Sequence, residues 1–271
     1  MDIREMYPEE LREYLSQKKE ADYLLVDVRE SGEYESEHIP GAKLLPLSEL
    51  EGRLDELPED RELVFYCHSG RRSNVGAVFA RDSGLVNTTL YNLIGGISAW
   101  EGKTLTGFPR FEVIQETGDL SQSLEQAINM EKGTFLLYEI MVRLSSGLPQ
   151  EKTLKKLSGM EIGHAKAIYA ILSSIKQVKP FEELFKESKG NLVEGGWDLE
   201  AVIGQLRENK ENSCLFMSEF ALELEYRAYD LYRNLAEKVP DADYKRAMFF
   251  LSEQEKAHVR LLTRRLPDCF N

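Results

Sequence analysis

The sequence predicts a multi-domain chain: an α/β domain on a mostly parallel sheet over residues 1–112, then an all-α four-helix bundle over residues 113–271. Three observations predict it. The texture of the chain changes near residue 110, short apolar runs alternate with amphipathic segments before that point, and long helical periodicities follow it. A length of 271 residues also fits about two domains.

In the first half, YLLVDV (residues 23–28) and LVFYC (residues 63–67) are short unbroken apolar runs and read as buried strands. AKLLPL and TTLYNL carry weaker strand signals. Between them lie amphipathic segments, PEELREYLSQ and RRSNVGAVFARDSG, the second stopped at Gly84. The expected order is a helix, then strand–helix repeats, which gives a sheet covered on both faces.

In the second half, long helices are expected at about Ser121–Ser146 (capped by Ser121), Gln150–Ile175, Cys214–Glu237 and Ala242–Arg265. Shorter helices are expected from Pro180 to Asn209. This half repeats itself at an offset of 94 residues. Glu131 falls on Glu225, Tyr138 on Tyr232, Leu157 on Leu251, Glu161 on Glu255, His164 on His258 and Leu172 on Leu266. The pattern reads as two helical hairpins joined by a long crossover.

The repeat carries chemistry. Residues three apart on a helix share a face, so Glu161 with His164 and Glu255 with His258 each point at one target. Tyr138 and Tyr232 lie two turns beyond Glu131 and Glu225, to orient a carboxylate or to pack the core. Leu157, Ile168, Leu251 and Leu262, one turn from these groups, mark the same faces as buried. Four carboxylates in a dry core repel one another unless cations neutralise them. Two divalent ions do so, and carboxylate with imidazole suits iron or manganese, with zinc able to take the same ligands.

In the first half, CHSGRRS (residues 67–73) follows a strand and opens a helix. Cys67 there meets the amides of a turn and the positive end of a helix, both of which lower a thiol pKa. Arg71 and Arg72 add positive charge, and Gly70 lets the backbone curl around the sulfur. Such a loop suits a thiolate, a persulfide or an anionic substrate.

A net charge of −13 argues against nucleic acid as a partner. No apolar run approaches the ~20 residues of a membrane span, and MDIREMYPEE lacks a signal-peptide pattern. The stretch Arg260–Arg265 reads as a favourable helix C-terminus. The three cysteines are far apart with no Cys-x-x-Cys pair, so no disulfide is expected and Cys214 and Cys269 are taken as inert. A reducing, cytoplasmic location follows as the expectation.

On the Glu131, Glu161, His164, Glu225, Glu255 and His258 set, residues 119–267 resemble the ferritin-like diiron carboxylate superfamily, most closely the rubrerythrin group. The resemblance implies a ferritin-like bundle holding two iron ions that reduce peroxide, activate dioxygen or store iron. It also implies a homodimer and an extra glutamate that shifts with redox state, for which Glu194 is the candidate. Rubrerythrins carry a four-cysteine electron-delivering module; the sequence has none, so an external electron donor is expected.

On DVRE (residues 27–30), HIPGA (residues 38–42), CHSGRRS and LIGGISAW (residues 93–100), residues 4–110 resemble the rhodanese sulfurtransferases. The resemblance implies that Cys67 takes sulfur from a sulfane-sulfur donor, becomes a persulfide and passes it to a thiol acceptor. The loop His68, Ser69, Gly70, Arg71, Ser73 would cradle the substrate, with His68 a possible contact. Arg72 matches the family's loop arginine, and Asp27 and Arg29 its structural and pocket-lining residues. A related phosphatase family has a loop one residue longer. The expected function is a two-site enzyme. The alternatives are an iron-binding or redox- and sulfide-sensing protein with a docking rhodanese-like module, or an oxidase of an organic substrate.

Overall fold

The structure, a computed structural model, describes residues 2–115, 119–208 and 213–270. The chain forms two compact units, Met1–Phe108 and Pro109–Asn271.

The first unit runs β1 (Ile3–Met6), α1 (Pro8–Gln17), β2 (Tyr23–Asp27), α2 (Ser31–Ser36), β3 (Lys43–Leu44), α3 (Leu47–Leu50), β4 (Glu62–Tyr66), α4 (Arg71–Asp82) and β5 (Leu90–Leu93). All five strands are parallel, in the order β1-β5-β4-β2-β3. Successive side chains of a strand point to opposite faces. Leu24, Val26, Leu63 and Phe65 therefore pack with Leu50, Ala77 and Ala80 of α3 and α4, while Leu25, Val64 and Tyr66 pack with Leu11 and Tyr34 of α1 and α2. A strand precedes the first helix, against the expected order. β1 is a four-residue edge strand with Arg4 and Glu5 exposed, too short and too polar to show as an apolar run.

The second unit opens with α5 (Glu112–Gln115) and continues with α6 (Leu120–Leu144), α7 (Glu151–Ile175), α8 (Phe181–Glu187), β6 (Leu192–Val193), β7 (Trp197–Asp198), α9 (Leu199–Glu208), α10 (Cys214–Lys238) and α11 (Ala242–Arg265). α6 packs with α7 and α10 with α11, as two hairpins joined by the crossover from α8 to α9. The crossover contains a two-stranded antiparallel hairpin, β6–β7, where only helices were expected; its expected end at Asn209 lies outside the described residues. Asp119 caps α6, its carboxylate accepting the Ser121 amide at 2.8 Å, in place of the expected Ser121.

The expectation of no disulfide is overturned. Cys214 and Cys269 are bonded to each other. The two residues are 55 positions apart, and a final 3₁₀ turn (Leu266–Phe270) after α11 returns the chain to the start of α10. Among the described residues no helix is long and apolar enough to cross a membrane.

The bundle core is layered. Leu124, Ile128, Ile168, Leu172, Leu231, Tyr232, Met248 and Leu251 form one apolar cluster. Leu137, Tyr138, Leu154, Leu157, Met217, Leu224 and Leu262 form another. On every long helix the acidic and imidazole residues of the repeat fall between the stretches that feed these clusters.

Candidate functional site

The polar layer of the bundle brings together all six repeated residues. Glu131 comes from α6, Glu161 and His164 from α7, Glu225 from α10, and Glu255 and His258 from α11, all buried. His164 Nδ1 lies 3.4 Å from Glu161 Oε2 and 3.7 Å from Glu131 Oε2. His258 Nδ1 lies 2.9 Å from Glu225 Oε2, 3.5 Å from Glu161 Oε1 and 3.6 Å from Glu255 Oε2. The two imidazoles stack with centroids 4.5 Å apart. Tyr138 donates its hydroxyl hydrogen to Glu225 Oε1, whereas the buried Tyr232 hydroxyl has no hydrogen-bond partner.

A fifth carboxylate joins them. Glu194 follows β6 in the crossover, is buried, and lies with Glu131 and Glu161 in a group whose donor atoms are within 4.8 Å of one another. Its amide donates to Thr134 Oγ1 at 2.9 Å. The approach is close because α6 has glycine at position 133: a Cβ there would stand 1.8 Å from the Leu192 carbonyl oxygen. Glu194 has no counterpart at the repeat offset, so periodicity alone does not find it.

The electrostatics of this layer are those of a cation site. Burial first, then mutual repulsion, push Glu161, Glu194 and Glu255 well above the usual carboxylate range. Burial also raises Glu225, but the adjoining His258, together with hydrogen bonds from Glu255 and Tyr138, outweighs it and leaves that carboxyl lowered. Both oxygens of Glu131, Glu161 and Glu255, one oxygen of Glu194, His164 Nδ1 and His258 Nε2 are buried without hydrogen-bond partners. Unsatisfied buried oxygens are costly, and their convergence in three further groups, Glu161–His164–His258, Glu131–His164–Glu255 and Glu225–Glu255–His258, fits metal ions.

In the first unit, Cys67 follows β4 at the carboxyl edge of the sheet and α4 begins four residues later. Its sulfur accepts the Gly70 amide at 3.2 Å and lies 3.4 Å from the Ser73 hydroxyl. Gly70 caps α4 with φ at +89°, a left-handed conformation that glycine adopts without strain. The carbonyls of Cys67 and His68 are held by the amides of Ile97 and Ser98, at 2.8 and 3.0 Å, so LIGGISAW braces the loop from outside. Burial pushes the Cys67 thiol up, but the Ser73 hydroxyl and the Ser73, Ser69 and Gly70 amides outweigh it and hold it below the usual thiol range.

The remaining loop residues divide. His68, Ser69 and Arg71 are exposed, and the His68 ring contacts Ser98 Oγ at 3.1 Å. Arg72 forms a two-bond pair with Glu33, both contacts at 2.7 Å. Asp27 and Arg29, buried at the end of β2, pair with each other at 2.6 Å and stand beside β4. Sequence reasoning missed two partners. Asn92 of β5 accepts the Ser73 hydroxyl at 2.6 Å, and Glu33 holds Arg72. Both lie outside the cysteine loop in sequence, and nothing in the local pattern marks them.

Comparison with known proteins follows this division. A family profile described as a rhodanese-like domain matches residues 7–103, and one described as rubrerythrin matches residues 122–266. YrkF of Bacillus subtilis is 42% identical over 99 residues, covering 36% of this chain and 52% of that protein. YqhL of the same organism is 43% identical over 79 residues, covering 29% and 61%. A protein of Allochromatium vinosum described as a sulfurtransferase is 37% identical over 98 residues, covering 36% of this chain and 88% of its own. The chain thus spans little more than half the length of the two Bacillus relatives.

Proposed function

The chain belongs to the rubrerythrin family and carries a rhodanese-like sulfurtransferase domain ahead of the bundle, and from that premise we propose a two-site enzyme. Cys67 carries sulfane sulfur between a donor and a thiol acceptor. The bundle would hold two iron ions, which would supply redox chemistry toward peroxide or dioxygen with electrons from an external donor.

The observation that carries the bundle reading is the set of buried carboxylate and imidazole atoms without hydrogen-bond partners. Glu131, Glu161, His164, Glu225, Glu255 and His258 would hold the ions, with Glu194 as a further carboxylate. Manganese or zinc can take the same donors. Bound iron supplies one-electron exchange with peroxide or dioxygen. The protein's own residues set the conditions for it. Tyr138 fixes one oxygen of Glu225, Tyr232 keeps an uncommitted hydroxyl in the layer, and the two apolar clusters exclude bulk water from both sides. A homodimer is the proposed assembly.

At Cys67 the thiolate attacks the sulfane sulfur of a donor. An Sγ–S bond forms, the donor's bond to that sulfur breaks, and the electron pair leaves with the donor remnant. The loop amides and the N-terminus of α4 then face a persulfide anion, which an acceptor thiolate relieves of its terminal sulfur.

Rapid mixing of the ferrous protein with hydrogen peroxide tests the bundle reading. Oxidation should be much faster than in a Glu161→Ala, Glu255→Ala variant, and equal rates would refute it. Mass spectrometry for one added sulfur atom on Cys67 tests the other site.

A further inference from the structure

Glu194 differs from the other four buried glutamates of the layer in how it is held. They stand on helices of 24 or 25 residues, which fix their backbone. Glu194 stands at the tip of a hairpin whose strands, β6 and β7, have two residues each. A two-stranded hairpin is marginally stable by itself. This one nonetheless carries a carboxylate into a layer that already holds four, where burial and repulsion oppose it. Contacts from outside the hairpin must therefore keep it in place.

Those contacts come from three sides. From α6, Thr134 Oγ1 accepts the Glu194 amide at 2.9 Å. From α10, Arg227 comes so near Gly195 that a Cβ on that glycine would stand 3.0 Å from the Arg227 Cβ. From the segment that opens the unit, Val113 and Arg110 close on Gly196, where an added Cβ would stand 2.7 Å from Val113 Cγ2.

Trp197 comes next in the chain and pairs with Val193 across the hairpin. Arg110 sets its guanidinium carbon 3.9 Å from the centroid of the Trp197 ring and donates from Nη1 to the Gly196 carbonyl at 3.4 Å. Arg227 lies over the same ring at 5.4 Å and is paired with Glu223 at 2.6 Å. Tryptophan is the best aromatic partner for a cation. The ring thus ties the hairpin to both the opening segment and α10. Through the Val193–Trp197 pair it fixes the three residues between them, of which Glu194 is the first.

We propose that Trp197 is a positioning residue for the metal layer: gripped by Arg110 and Arg227, it holds the β6–β7 hairpin so that Glu194 stays among the helical ligands. The inference rests on the bundle binding metal, and it assigns the grip on the carboxylate of the five that no long helix supplies.

The experiment titrates cobalt(II) into the metal-free full chain. Affinity is read by chelator competition, and the ligand set by the visible d–d bands. Trp197→Leu should weaken the more loosely held ion about tenfold and shift the bands toward those of Glu194→Gln. Trp197→Phe keeps an aromatic face for the arginines and should recover most of the loss. In the Glu194→Gln background, Trp197→Leu should change neither readout, because the carboxylate through which it acts is gone. Should Trp197→Leu not fold, Arg110→Met, which removes a cation and keeps the ring, carries the same test with the same expected direction. Wild-type affinity and bands in a folded Trp197→Leu variant would overturn the proposal. Equal weakening with and without the Glu194 carboxylate would overturn it too, since that marks a general loss of packing. Wild type that binds no cobalt would instead refute the metal site, and the positioning role with it.

Discussion

Tyr138 on α6 donates its hydroxyl hydrogen to Glu225 on α10, so the two helical hairpins are joined across the polar layer by a buried hydrogen bond. The repeat-related pair behaves differently. Tyr232 has a hydroxyl without a hydrogen-bond partner, and neither oxygen of Glu131 accepts a hydrogen bond. The sequence repeats, but the hydrogen bonding does not.

Two substitutions read this asymmetry. In metal-free protein, Tyr138→Phe leaves an oxygen of Glu225 without its donor and should cost about 1–3 kcal/mol. Tyr232→Phe removes a hydroxyl that satisfies nothing and should stay within about 0.5 kcal/mol of wild type. Chemical denaturation in the presence of a chelator checks both, and equal losses would show that the bonding is symmetric.

The metal-free bundle should lose stability as pH rises. Glu161, Glu194 and Glu255 sit above their unfolded values, so between the two values the folded state binds more protons than the unfolded state. Their contribution is fully present below the unfolded carboxyl pKa, about 4.3, and is lost as pH climbs through the raised values. Glu225 runs the other way, contributing above its unfolded value, but it is one group against three. Denaturation midpoints from acid to neutral pH should therefore fall after chelation, and the increment restored by ferrous iron should grow with pH.

Ser73 holds its hydroxyl 3.4 Å from the Cys67 sulfur and helps keep the thiol low, so Ser73→Ala should raise the thiol pKa. The Gly70 and Ser69 amides remain in place. The pH profile of iodoacetamide alkylation checks this, and an unmoved midpoint would assign the lowering to the backbone alone.

Gly133→Ala should be destabilising by about 1–3 kcal/mol, because its methyl group collides with the Leu192 carbonyl and pushes away the segment that carries Glu194. Gly159 of α7 is the control. Nothing lies within 4 Å of a Cβ there, and alanine in a helix interior should gain about 0.5–1 kcal/mol. Denaturation and iron retention in the two variants should move in opposite directions.

Much of this architecture was legible from residue order. The two buried strands showed as apolar runs because both faces of the sheet are covered. The four long helices and their six polar residues showed through the repeat, since each copy must present the same face to the same layer. What stayed hidden depends on contacts between distant segments. Asn92 and Glu33 reach the cysteine loop from other elements, and Cys214 meets Cys269 only after the chain turns beyond α11, whereas Glu194, in a crossover that is not duplicated, was named only through the family resemblance and not through the repeat. Edge strand β1 was obscured by its two exposed charges.

The central claim is that five buried glutamates and two histidines coexist because cations sit among them. Elemental analysis of protein purified anaerobically, with ions counted per chain, tests it most directly. The account predicts two ions, predominantly iron, released when Glu161 and Glu255 are replaced by alanine. A folded wild-type bundle that holds no ion at any iron concentration would contradict it.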